Sequence, residues 1–251
     1  MDFQFCSDLH LEFGENREWL RQHPLKPSAD VLLLAGDIVC FSKIEQADWF
    51  LDWASANFQQ TYWVPGNHEY YHTSINSSNT LNYVVRHNIH VVDNISVDFG
   101  EVAVHFTTLW THIADNFADQ IERQLSDFHV IKVGNERLSP SYVNYLHTNC
   151  KRYLQDALIQ YQSKKQLVVS HHVPTYQNYP EQFQRSILNS GFVVEMDGLI
   201  EELQPAAWIY GHSHVNVPPF KINATELLTN QLGYSWRGEG NGFELQSIVK
   251  V

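Results

Sequence analysis

Six short apolar runs, each cut off by a polar cluster, limit what this chain can fold into. DFQFC at 2–6 leads into SDLH, VLLLA at 31–35 into GD, and TYWV at 61–64 into PGNHE. EVAVHFTTL at 101–109 leads into WTH, QLVV at 166–169 into SHHVP, and AWIY at 207–210 into GHSH. Each run has strand length and β-branched or aromatic content, and the near-continuous ones predict strands buried on both faces. Between them, apolar spacing predicts helices over 43–58 with Ser42 as N-cap, over 141–162 behind Ser139-Pro140, and over 190–203 before Pro205. Alternating strands and helices predict a layered α/β architecture with function at the strand tips. The segments FKINATELLTN and GFELQSIVKV alternate like antiparallel strands and are expected to close a second sheet. No Pro/Gly/Ser linker, low-complexity tract or repeat divides the 251 residues, so one domain over 1–251 is expected.

Charge and cysteine usage exclude several function classes. The net charge is −12, from 28 acidic against 16 basic residues, which is unsuited to general nucleic-acid binding. Cys6, Cys40 and Cys150 form no CxxC pair, which argues against a disulfide framework or a thiolate zinc site and fits a reducing compartment. The opening MDFQFCSDLH has no basic stretch followed by a long apolar one, and no apolar run approaches membrane-spanning length. A cytoplasmic protein with no membrane partner is the expectation.

The polar clusters carry the chemistry. They contain Asp8 and His10, Asp37, Asn67 and His68, His171 and His172, and His212 and His214. Loops after neighbouring strands of an α/β sheet lie side by side, so residues far apart in sequence can converge there. The i, i+2 spacing of Asp8/His10 and His212/His214 would point each pair to one side of an extended segment. Singly, Gly-Asp or Asn-His behind a strand is ordinary turn or cap chemistry. Five such clusters, all rich in Asp, His or Asn and all behind apolar strands, point instead to a metal site built from oxygen and nitrogen donors.

In chain order these clusters read Asp8-Leu9-His10, Gly36-Asp37, Gly66-Asn67-His68-Glu69, His171 and Gly211-His212-Ser213-His214. That series resembles the signature of the calcineurin-like metallophosphoesterase superfamily, DxH, GD, GNHE, H and GHxH. SDLHLEFG and TTLWTHI are further similar to a branch of small single-domain bacterial phosphoesterases. The resemblance implies a β-sandwich of two mixed sheets flanked by helices. It also implies two divalent metal ions: one on Asp8, His10, Asp37 and His214, the other on Asp37, Asn67, His171 and His212, with Asp37 bridging. His68 then corresponds to the family's proton-handling histidine, and Glu69 is expected to support the site from behind.

The donor set suits Mn²⁺, Fe, Zn²⁺ or Ni²⁺ without choosing among them. Two divalent ions against two carboxylates leave a cationic site that attracts a phosphate group, and a metal-bridging hydroxide would attack phosphorus in line. Asn67 ligates without lowering that positive charge. By the family's pattern His171 is the ligand of the His171-His172 doublet, while His172 orients substrate or serves structurally. Trp110, Arg185, Tyr70, Tyr71 and Phe128 are weaker candidates for substrate contact, each also explained by packing or a solvated surface. The expected activity is hydrolysis of a small phosphomonoester or phosphodiester, with nucleotides among the candidates. The alternatives are a cyclic-nucleotide phosphodiesterase, a nuclease, or a non-catalytic metal-binding scaffold.

Overall fold

The computed structural model describes residues 1–75, 80–184 and 186–251. The predicted strands form the centres of two six-stranded sheets. In the first, β1 (Asp2–Cys6), β2 (Val31–Ala35), β3 (Gln60–Val64) and β6 (Ile89–Asp93) run parallel. Their antiparallel edges are β5 (Leu81–Arg86), paired with β6, and β15 (Ile248–Lys250), paired with β1. The second sheet repeats this plan. Parallel β8 (Val102–Thr107), β11 (Lys165–Ser170), β12 (Ala207–Tyr210) and β14 (Thr225–Thr229) are flanked by antiparallel β7 (Ile95–Asp98) and β13 (Phe220–Ile222). A small third sheet joins β4 (Ser74–Ile75), β9 (Lys132–Val133) and β10 (Glu136–Arg137).

The period-two geometry of strands sorts each run between two cores. Phe3, Phe5, Val31, Leu33 and Ala35 meet Val104, Phe106, Leu167, Val169 and Ile209 of the other sheet, so the sheets pack face to face. The opposite face of the first sheet, with Leu32, Leu34 and Trp63, is covered by α1 (Gly14–Gln22) and α2 (Asp48–Asn57) through Leu20, Phe50, Leu51 and Ala54. Behind the second sheet, Val168, Trp208 and Leu227 pack on α5 (Pro140–Gln160) and α6 (Asp197–Leu203) through Val143, Leu154, Leu158 and Ile200. This is the expected sandwich flanked by helices. Two short helices, α3 (Ala118–Gln124) and α4 (Asp127–Val130), sit in the long connection after β8.

Several elements differ from expectation for local reasons. Lys43, at φ −135°, interrupts the first predicted helix, so a 3₁₀ segment over Phe41–Ala47 precedes α2. The Ser42 hydroxyl donates to the Tyr71 carbonyl and caps nothing. By contrast, α5 starts as read: Ser139 Oγ accepts from Tyr142 N, with Pro140 in the first turn. The helix predicted over 190–203 is confined to α6, because Val193 bridges to Val173 in extended form. FKINATELLTN forms the β13–β14 hairpin on the second sheet, whereas GFELQSIVKV sends β15 to the first, beside β1. α1 has no counterpart among the predicted helices.

All eight parallel strands end at one side of the sandwich, and one side chain locks two of those ends together. The buried Glu69 carboxylate accepts hydrogen bonds from the N–H groups of Asp37 (2.9 Å), Ile38 (2.7 Å) and Gly66 (2.6 Å) and from Trp63 Nε1 (3.0 Å). The predicted support from Glu69 therefore takes the form of a clamp between the loops after β2 and β3. Glu69→Gln would turn an amide N–H toward these donors, at a cost of about 2–4 kcal/mol. In thermal unfolding this should lower the melting temperature by about 5–15 °C. A melting point within about 2 °C of the parent would refute the clamp.

Candidate metal centre and cleft

The loops at the strand ends hold their polar side chains by strained backbone, not by extended strands. Contrary to the extended pairs that i, i+2 spacing predicts, φ is +55° at Asp8, +46° at His10, +55° at Asp37, +73° at His212 and +53° at His214. Each such non-glycine residue costs about 1–3 kcal/mol. Interlocked loops hold them there. The Asp8 and His10 N–H groups donate to the Gly36 and Asp37 carbonyls, both at 2.9 Å, and Gly233 N–H donates to the Asp8 carbonyl at 3.0 Å.

Two groups of donors result, sharing Asp37. On one side, His10 Nε2 lies 2.9 Å from His214 Nε2 and 3.7 Å from Asp37 Oδ2, and His214 Nε2 lies 3.4 Å from Asp8 Oδ1. On the other, His171 Nε2 lies 3.4 Å from Asp37 Oδ1, 3.2 Å from Asn67 Oδ1 and 3.1 Å from His212 Nδ1. Gly66 makes the second group possible, since a β-carbon there would collide with Asp37 Oδ1 and sit 2.6 Å from His171 Nε2.

The hydrogen bonds behind each donor show what belongs between them. His10 Nδ1 donates to Glu12 Oε1 (3.1 Å), His214 Nδ1 to Glu239 Oε2 (2.7 Å) and His171 Nδ1 to the Ala35 carbonyl (2.9 Å). Asn67 Nδ2 donates to Asp127 Oδ1 (2.9 Å), which turns its carbonyl oxygen inward. With those outer groups committed, the inward nitrogens and the Asn67 oxygen face one another across about 3 Å, so a proton or a metal ion must sit between them. Burial opposes charge on both rings, yet Asp37 and Asp8 lift His171 to about 9, and Asp8 and Glu239 lift His214 to about 10. Protons answer the negative field of this cage, and a metal ion can replace them. The residues fit divalent metal ions with oxygen and nitrogen preference.

His68 borders the cage without joining either group. Its N–H donates to Asp37 Oδ1 (2.9 Å), and its Nδ1 donates to Glu12 Oε1 (3.0 Å), the oxygen that also receives His10. Nε2 is thus the ring nitrogen left for a bound molecule. Burial would depress its pKa, but Asp37, Glu12 and Asp127 raise it above the ordinary imidazole value. Tyr71 stacks on the ring with centroids 4.0 Å apart, and its hydroxyl donates to Asp127 Oδ1 at 2.7 Å.

A cleft of about 570 Å³ opens off this centre, lined by Asp37, Asn67, His68, His212 and His214. Its further walls come from 124–127, from residues within 179–183 and 186–192, and from Tyr234, Arg237 and Glu239. Neither Trp110 nor His172 lines it. Trp110 is buried in the core beneath α5 and borders a separate cavity of about 180 Å³, together with Tyr70. His172 bonds through Nδ1 to the Thr108 carbonyl (3.0 Å), and its ring backs His212 at 4.3 Å. Burial and the neighbouring His171 push it down to about 3, so it supports His212 as a neutral ring. Phe128 is core, and Arg185 lies outside the described residues. Four residues around the centre escaped the sequence reading: Glu12, Asp127, Tyr234 and Glu239. Glu12 alone carried a signal, being a carboxylate two residues beyond His10.

Over its whole length the chain is similar to a protein of uncharacterized function from Acanthamoeba polyphaga mimivirus, 27% identical and covering 99% of this chain and 96% of that one. In fold it is similar to the phosphopantetheinyl hydrolase of Mycobacterium tuberculosis, with a TM-score of 0.69, 15% identity, and coverage of 94% of this chain and 91% of that one. The family model for calcineurin-like phosphoesterases matches residues 1–216, which takes in every one of the five polar clusters. The chain belongs to the calcineurin-like phosphoesterase family.

Proposed function

We propose that the protein hydrolyses a small phosphoester at a two-metal centre held by Asp8, His10, Asp37 and His214 on one side and Asp37, Asn67, His171 and His212 on the other. The observation that carries this reading is Asp37, whose two oxygens face different histidine groups: Oδ2 toward His10 and Oδ1 toward His171. A carboxylate split in this way suits a bridging ligand. When bound, divalent ions would supply Lewis-acid charge at the phosphoryl oxygens and acidify a water between them.

The chain's own residues do the remaining work. Asn67 contributes a neutral oxygen, so the centre keeps the positive charge that recruits phosphate in a protein of net charge −12. Glu12 orients His10 and His68 together through one oxygen. Its carboxyl is held down to about 2: burial opposes that charge, and the two imidazoles more than offset it. His68, with Nδ1 committed, presents Nε2 to the departing oxygen and donates its proton there. Tyr71 fixes the plane of that ring by stacking. Nucleotides remain within this reading as one substrate class.

Metal-stripped protein given Mn²⁺ should turn over at least one member of a panel comprising a phosphomonoester, a diester, a cyclic nucleotide and a dinucleotide. Metal-dependent binding with no turnover of any would favour the non-catalytic scaffold instead.

The residue roles separate in a second experiment. Asp37→Asn should lose metal occupancy, read by elemental analysis, because both groups lose their shared anion. His68→Ala should keep its metals and lower kcat by about 10²–10⁴-fold. Equal metal loss in the two variants would overturn this division of labour.

A further inference from the structure

Four apolar side chains that pack on the core behind the second sheet also show a face to the cleft, among polar neighbours such as Gln124, Ser126 and Asn189. Leu125, Phe183, Leu188 and Phe192 are each only half-buried and line the cleft. The apolar surface begins at the metal centre itself, where the Phe192 ring lies 4.5 Å from the His212 ring. It continues across two chain segments that touch, since a β-carbon on Gly191 would lie 2.5 Å from Leu125 Cδ1. Apolar side chains converging on a polar reaction centre are the usual lining of a subsite for an apolar group.

The charged lining residues are already engaged. Asp127 Oδ1 accepts from Asn67 and Tyr71, and Glu239 Oε2 accepts from His214 and from Tyr234 N–H. Among the described residues lining the cleft, Arg237 is the cation, and its guanidinium lies over the Tyr234 ring at 5.1 Å and 4.0 Å from Glu239 Oε1. A leaving group with further phosphates would meet these two carboxylates and an apolar surface. The departing oxygen leaves beside His68, whose neighbours Tyr71 and Asp127 adjoin the 124–127 wall. A leaving group that extends from there meets that wall, where Leu125 is the apolar residue beside Gln124, Ser126 and Asp127.

From this geometry we infer that the substrate is an ester with a single phosphate and an uncharged, apolar leaving group, seated against Leu125, Phe183, Leu188 and Phe192. This rests on the phosphoesterase reading and names the substrate class within it. Ethyl, butyl and octyl phosphate test it, because their leaving alcohols have similar acidity and differ in apolar length. With Mn²⁺-loaded protein, kcat/KM should rise about tenfold or more from ethyl to octyl phosphate, chiefly through KM. Leu188→Asp and the milder Leu188→Ser should remove most of that gain, with kcat/KM for octyl phosphate falling several-fold further than kcat/KM for ethyl phosphate in each.

Ethylphosphonate and octylphosphonate binding, measured by calorimetry, reads the same wall without turnover. Tighter octylphosphonate binding with no ester hydrolysis would support the apolar wall and overturn the phosphoesterase reading. Metal-dependent hydrolysis with no chain-length dependence would overturn the inference and leave the phosphoesterase reading standing. Preference for ATP over octyl phosphate, or a chain-length gain that survives in Leu188→Asp, would also overturn it.

Discussion

Glu69 brings a carboxylate into the interior, where four N–H groups converge on it, and the centre depends on that convergence. Two of those groups belong to Asp37 and Ile38 after β2, one to Gly66 after β3, and one to the Trp63 indole at the end of β3. A buried carboxylate is tolerated only when donors replace its lost water. Here the donors are the backbone of the two loops that carry Asp37, Asn67 and His68. Satisfying Glu69 therefore fixes how far apart those loops stand, and with them Asp37, Asn67 and His68, the proposed bridge, neutral ligand and proton donor.

Strain at the tips is the counterpart of this rigidity. Asp8, His10, Asp37, His212 and His214 all occupy left-handed backbone, a conformation in which a lone residue would relax. They are retained because the loops satisfy one another's backbone groups and because Asp8 takes the Ser7 hydroxyl (2.5 Å) and the His212 N–H (3.1 Å). The sandwich supplies the stiff base: Phe3, Leu33 and Val104 lie fully buried between the sheets directly below the tips. Folding energy gathered in that core holds together an electrostatically frustrated cage, whose frustration a bound cation relieves.

The sequence made this cage legible because the chemistry of metal ligation restricts residue type at every position that carries it. Strand ends and donor type pick out Asp8, His10, Asp37, Asn67, His171, His212 and His214 together with His68 and His172; the family resemblance narrows them to the first seven, and those seven converge. The conformation that makes them converge was not legible, since i, i+2 spacing describes extended chain and these loops turn left-handed. Residues acting through other residues were also hidden. Asp127 and Glu239 orient Asn67 and His214 from distant loops, with no fixed spacing to their partners. For His172 and Trp110 the type was suggestive, but Trp110 turns into the core and the His172 ring packs behind His212, with Nδ1 on the Thr108 carbonyl. Similarly, α2 is shorter than its apolar pattern because Lys43 breaks the backbone, which periodicity does not register.

The family match ends at residue 216, yet the C-terminal segment beyond it completes the centre. Asn230 Nδ2 donates to the Phe5 carbonyl (3.0 Å), Leu232 N–H to Ser7 (3.2 Å) and Gly233 N–H to Asp8 (3.0 Å), so 230–233 run on as a continuation alongside β1. That docking delivers Tyr234 to within 4.8 Å of the His10 ring and Glu239 to the Nδ1 of His214. Glu239 accepts from His214 Nδ1 and so leaves Nε2 as the nitrogen that faces Asp8 and His10. The part matched by the family model thus carries all the candidate ligands, while the C-terminal segment holds the Nδ1 of His214 and forms one wall of the cleft. Changes within 230–239 would therefore alter the centre and the substrate wall together, because both hang from the same short run of backbone bonds to β1.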